Sequence, residues 1–136
     1  MTSIDVQAIS FGDLTPFEIK CLQDCLSLDY TGLSVGNINA QMNSGIMQGA
    51  RVTQGENSLV LLFNLIDYPA GKEMWVWTVL GRFGHRRNLA RDFIVELAKG
   101  LGCRFISGQA ELTTVKNLWK AQAPEVATVY RMDLTK

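Results

Sequence analysis

The sequence predicts a mixed α/β (α+β) domain, with helices on the faces of a mixed, mostly antiparallel sheet, in the order β-α-(α)-β-β-β-α-β-α-β. Three observations lead there. Residues 46–80 hold three apolar strand-like runs separated by two turn clusters, a hairpin meander. Two stretches, 17–28 and 89–101, carry apolar residues three and four apart, as amphipathic helices do. The second helix lies between two strand-like runs, which fits a crossover in a sheet that is not wholly antiparallel.

Taken in order, residues 4–9 (IDVQAI) alternate apolar and polar as far as Ala8 and read as a first strand. The turn FGDL leads to Thr15-Pro16-Phe17-Glu18, where a threonine N-cap, a proline at the first helical position and a glutamate at the third predict a helix start. Phe17, Cys21, Cys25 and Leu28, joined by Leu22 and Leu26, form its expected core stripe, and the helix should end near Tyr30. Residues 36–45 (GNINAQMNSG) are polar and weakly patterned, a loop or a short second helix. Residues 46–53 and 59–67 read as strands joined by Gln54-Gly55-Glu56-Asn57. The second is apolar on both faces at its start, as a central strand would be.

After Tyr68-Pro69-Ala70-Gly71-Lys72, residues 74–80 make a fourth strand. Strict alternation puts Trp75, Trp77 and Val79 on one face and Met74, Val76, Thr78 and Leu80 on the other. The following helix packs Leu89, Phe93 and Leu97 beside Ala90, Ile94, Ala98 and Leu101, with Gly100 and Gly102 as its stop. Residues 104–110 (RFISGQA) read as a fifth strand. Residues 112–119 read as a short helix ended by Ala123-Pro124, and 126–134 as a closing strand.

At 136 residues the chain suits one domain spanning 1–136. Its hydrophobic share of 47% and charged share of 19% exclude a disordered chain. A formal net charge of zero gives no global pull toward nucleic acid or a membrane surface. The three cysteines, Cys21, Cys25 and Cys103, have no CxxC spacing and a single histidine beside them, so reduced thiols are expected rather than a metal site. No apolar run is long enough to span a membrane, and the N-terminus lacks the pattern of a targeting segment, so a cytoplasmic location is expected.

The chemistry concentrates where the fourth strand meets its helix. Arg82, His85, Arg86, Arg87 and Arg91 crowd that junction. A helix N-terminus already carries partial positive charge and free N–H groups, so cations there are the wrong sign unless an anion joins them. A strand, a loop and a basic helix start together make a candidate phosphate cradle.

With this order of elements, the run LGRFGHRRNLARDFIVEL resembles the strand–loop–helix segment of the GCN5-related N-acetyltransferase (GNAT) superfamily. The resemblance covers nearly the whole chain by element order, and by motif only this junction. The family pattern Q/R-x-x-G-x-G/A falls on His85, Asn88 and Ala90, so histidine stands where Gln or Arg is usual and asparagine where Gly is usual. It implies that Val79, Leu80 and Gly81 at the strand end, with His85, Arg86, Arg87, Asn88, Leu89 and Ala90, hold acetyl-CoA. Trp119 occupies the place of the family's tyrosine acid; an indole N–H is not a usable acid, so no acid is assigned. Glu73 is the nominated general base for the amine.

The implied activity is acyl transfer from acetyl-CoA to an amine-bearing small molecule or protein by direct attack, with strand-four N–H groups polarising the carbonyl. The alternative is a degenerate GNAT-like protein acting through protein contacts, as a homodimer or with another partner. Small proteins of that look occur in tailed-phage genomes as structural or host-takeover accessories. Nucleic-acid binding through residues 82–91 ranks last, because net charge is zero and no basic-aromatic interleaving supports it.

Overall fold

The apolar runs pair as their alternation requires. A computed structural model describes residues 4–27, 32–81 and 87–108, and for 87–90 the backbone alone. Five strands form one sheet in the order β1 (Asp5–Ile9), β2 (Gln48–Gln54), β3 (Asn57–Tyr68), β4 (Gly71–Gly81) and β5 (Phe105–Gly108). β1 to β4 pair antiparallel, and β4 pairs β5 in parallel across the helix α3 (Arg87–Gly100). The sheet is thus mixed and mostly antiparallel, as the sequence predicts. The expected helix at 112–119 and strand at 126–134 lie outside the described residues, with Trp119 and Tyr130.

Helices α1 (Pro16–Ser27) and α2 (Val35–Asn43) cover one face and α3 the other, so the sheet separates two cores. β3 shows why the middle of the sheet is apolar on both sides. Leu59, Leu61 and Phe63 enter the core with Phe93, Ile94, Leu97 and Ala98 of α3. Val60 and Leu62 enter the other, with Leu22 and Ile38. All five are at most 2% exposed. Burying each such side chain contributes about 1.5–3 kcal/mol relative to exposure.

The start of α1 matches its sequence signature. The Thr15 N–H donates to Glu18 Oε1 at 2.9 Å, and the Glu18 N–H donates to Thr15 Oγ1 at 3.2 Å. Its inward face matches in part, with Cys21, Leu22 and Leu26 packed into the core on that side. Phe17 is 40% exposed, Cys21 and Cys25 are half-buried, and the buried residues are Glu18 and Leu22. Arg51, on β2, meets the buried Glu18. Its Nη1 and Nη2 donate to Glu18 Oε2 and Oε1 at 2.6 and 2.9 Å, turning the carboxylate toward the sheet. The polar stretch before β2 resolves as a helix because Ser34 and Asn37 form a second reciprocal cap, each backbone N–H bonding the other's side chain.

α3 ends at one of its two expected glycines. The Cys103 N–H reaches the Ala98 carbonyl at 2.9 Å, the Gly102 N–H reaches Lys99 at 3.0 Å, and Gly102 has φ 75°. That is a Schellman motif with Gly102 at C′, while Gly100 remains helical.

The faces of β4 require a correction. Leu62 lies opposite Thr78, but Phe63 lies opposite Val76, so Trp77 has no counterpart on β3. This β-bulge breaks strict alternation. Met74, Val76 and Val79 enter the α3 core, whereas Trp77 and Leu80 pack with the α1 and α2 side. Val79 therefore leaves the face of Trp75 and Trp77. Thr78 joins it, its Oγ1 lying 3.3 Å from Cys25 Sγ on α1.

Candidate active site

β4 hands the chain on to the start of α3. Its last residue, Gly81, has φ 129°, and a Cβ there would lie 3.0 Å from the Ser58 carbonyl oxygen and 3.3 Å from Leu59 Cδ2. Conformation and the neighbouring strand both demand glycine. Val79 and Leu80 bury their side chains in opposite cores, so their backbone is what they offer a ligand. His85 and Arg86 lie outside the described residues, as does Arg82. Arg87, Asn88, Leu89 and Ala90 form the first turn of α3. Asn88 thus has right-handed helical backbone, which needs none of glycine's freedom in φ. Arg91 falls in the next turn, where its Nη2 lies 3.0 Å from Asp92 Oδ1.

β5 pairs with the first half of β4 only, Phe105 opposite Glu73 through Gly108 opposite Val76. From Trp77 to Gly81, the edge of β4 away from β3 has no strand partner among the described residues. The bulge lies next to the last described pair, Val76 with Gly108. A bulge leaves ladder groups unmatched, and an unmatched edge offers N–H and C=O groups to a ligand.

One face of this region collects the polar and aromatic side chains. Glu73, Trp75 and Trp77 are half-buried there. Ile106 of β5 packs toward α3, so Phe105 and Ser107 take the opposite face, beside Glu73 and Trp75. Ser107 Oγ is buried and has no hydrogen-bond partner among the described residues. Sequence reading passed over this serine inside RFISGQA, although its two-residue spacing from Phe105 put it on that face. Burial, the largest effect on it, pushes the Cys25 thiol above its ordinary value despite the opposing Thr78 hydrogen bond, so it stays protonated near neutrality.

A cleft of about 440 Å³ opens on the α1 side of Gly81, lined among others by Thr15, Glu18, Arg51, Glu56 and Ser58. Its one arginine is committed to Glu18 and to the Asp13 carbonyl oxygen, 2.9 Å from Nη2. The cleft therefore has no uncommitted cation among its described lining. Among the described residues no group of three His, Cys, Asp or Glu side chains is placed to hold a metal ion. No helix among the described residues is long and apolar enough to cross a membrane.

No protein-family model and no curated protein matches the sequence. Solved structures do. A ribosomal-protein-alanine N-acetyltransferase from Brucella melitensis biovar Abortus 2308 superposes with TM-score 0.65 at 13% identity, over 96% of this chain and 100% of that one. A GCN5-related N-acetyltransferase from Ralstonia eutropha JMP134 gives 0.61 at 11% identity, over 98% and 100%. The chain has the GNAT fold. An aminoglycoside acetyltransferase from an uncultured soil metagenomic sample, in complex with sisomicin, gives 0.57 at 10% identity, over 95% of each chain. At these identities the likeness is one of GNAT architecture, and the site must be argued from this chain's own residues.

Proposed function

We propose that the protein is an acyl-CoA-dependent N-acyltransferase that transfers an acetyl group from acetyl-CoA to a primary amine. One observation carries the reading: β4 is bulged at Trp77 where its described pairing with β5 stops, and it runs on through Gly81 to the basic start of α3. Such a strand can hydrogen-bond an extended pantetheine-like chain along the edge that has no partner among the described residues, while the helix N-terminus and Arg86 and Arg87 receive the pyrophosphate. The GNAT fold supports the same placement.

The thioester supplies an activated acyl carbon. An amine that attacks it forms an N–C bond as the C–S bond breaks, CoA leaves as its thiolate with the electron pair of that bond, and the amine proton must leave. Glu73 is our candidate to take it. It stands on the polar face of β4, about 13 Å of strand from the bulge, which sets proton transfer through water rather than by direct contact. Backbone N–H groups near Trp77 hold the carbonyl oxygen as charge develops there. The acceptor is an amine-bearing small molecule or protein, held on the face of Trp75, Trp77 and Phe105.

Calorimetric titration with acetyl-CoA tests this. Micromolar binding that Arg86→Ala and Arg87→Ala each weaken is the expected result. No heat at millimolar acetyl-CoA would remove the donor and the transferase activity together, leaving a GNAT-fold protein that acts through protein contacts.

A further inference from the structure

We propose that the Ser107 hydroxyl donates a hydrogen bond to the carbonyl oxygen of the donor thioester, an inference that rests on the transferase reading above. Ser107 Oγ is buried, yet no described group bonds it. A buried hydroxyl left unmade is unfavourable, and alanine would fill the same strand position without that cost. The hydroxyl is therefore held for a partner that arrives with the ligand.

Its place says which part of the ligand. Ser107 is in register with Trp75 on the parallel neighbour, two residues short of the bulge. With strands about 4.8 Å apart and a rise of about 3.3 Å per residue, its Cα lies roughly 8 Å from that of Trp77. One carbonyl group, bonded from the β4 side by a bulge N–H and from the β5 side by Ser107, spans such a gap. The other buried, unbonded hydroxyl, Ser58, precedes Leu59, which faces Gly81 at the far end of β4 and lies away from the bulge. The reaction then has two donors on the oxygen that gains charge, one from each strand. Transfer itself is unchanged: the serine forms no covalent bond and gives up no proton.

The test compares CoA with acetyl-CoA by calorimetry, in the wild type and in Ser107→Ala, together with the thermal midpoint of each protein without ligand. The expected result is acetyl-CoA binding weakened roughly five- to tenfold, CoA binding unchanged, and a ligand-free midpoint that does not fall. Equal weakening of both ligands, no weakening of either, or a lowered midpoint would overturn the assignment, since a hydroxyl bonded within the protein stabilises it. The two readings fail differently. A wild type that binds neither ligand removes the transferase reading and this contact with it. Binding of both that Ser107→Ala leaves untouched removes the contact alone.

Discussion

Glu18 and Arg51 join α1 to β2 through a two-pronged ion pair, with Nη1–Oε2 and Nη2–Oε1 separations of 2.6 and 2.9 Å. The carboxylate also closes the α1 cap through the Thr15 N–H. The partners differ in access to water: the Glu18 side chain is 7% exposed and that of Arg51 20%. Removing the arginine strands a charge that cannot reach solvent, whereas removing the acid frees a guanidinium that can turn outward. Arg51→Met should therefore cost about 2–4 kcal/mol. Glu18→Gln, which preserves the capping pattern, should cost about 1–2 kcal/mol. Denaturant unfolding at neutral pH measures both, and an equal or reversed order would show the carboxylate to be better solvated than its burial implies.

The same pair sets an acid limb. Burial is the largest single influence on Glu18 and would raise its pKa. The Arg51 hydrogen bond and charge, with the Thr15 N–H and hydroxyl, outweigh it and hold the carboxyl below its ordinary value. A depressed folded pKa means that the unfolded chain binds the proton more readily, so the stabilisation is complete above the unfolded value, about 4.3, and is lost as pH falls through the folded one. Stability should decline from about pH 5 downward, less steeply in Glu18→Gln. Urea midpoints from pH 7 to pH 3 check this, and identical slopes in the two proteins would assign the limb to other carboxylates.

The two glycines at the end of α3 should respond in opposite directions. Gly102 has φ 75° at C′, so Gly102→Ala forces a side chain into the left-handed region and should destabilise by about 1 kcal/mol. Gly100 is helical, and a Cβ there meets no atom within 4 Å. Gly100→Ala should then stabilise by about 0.4–1 kcal/mol, through the unfolded chain and helix propensity. Thermal midpoints of the two variants settle the sign, and the same sign for both would contradict the Schellman assignment.

Local signals in the sequence carried far. Thr15-Pro16-Phe17-Glu18 placed the α1 cap because its chemistry is contained within four residues. The runs ahead of and behind Gly81 placed β4 and α3, because period two and period 3.6 are strong over ten residues. What escaped depended on partners distant in sequence. The burial of Glu18 comes with Arg51, 33 residues away, whose long side chain reads as surface until Glu18 is seen beneath it. The bulge at Trp77 leaves no local mark, because WVWTVL alternates equally well with or without an extra residue, and only pairing with β3 exposes it. Ser107 was invisible for the same reason: a serine in a strand acquires meaning when its neighbours fail to bond it. The strand and the helix on either side of the junction were therefore legible, whereas the bulge that sets the faces of β4 was not.

Gly81 ties stability to the proposed chemistry. An added Cβ would meet the Ser58 carbonyl oxygen at 3.0 Å, a backbone atom held next to the β3–β4 ladder rather than a mobile side-chain tip. With φ at 129°, relief would require the end of β4 to swing away from β3. Gly81→Ala should cost about 2 kcal/mol or more, from conformational strain and crowding together. The displacement falls at the end of β4, just before the residues that lead to α3, so acetyl-CoA binding should weaken beyond what the lower stability explains, measured well below the variant's midpoint where it is fully folded. Full affinity in a folded Gly81→Ala protein would mean that the glycine serves the sheet alone.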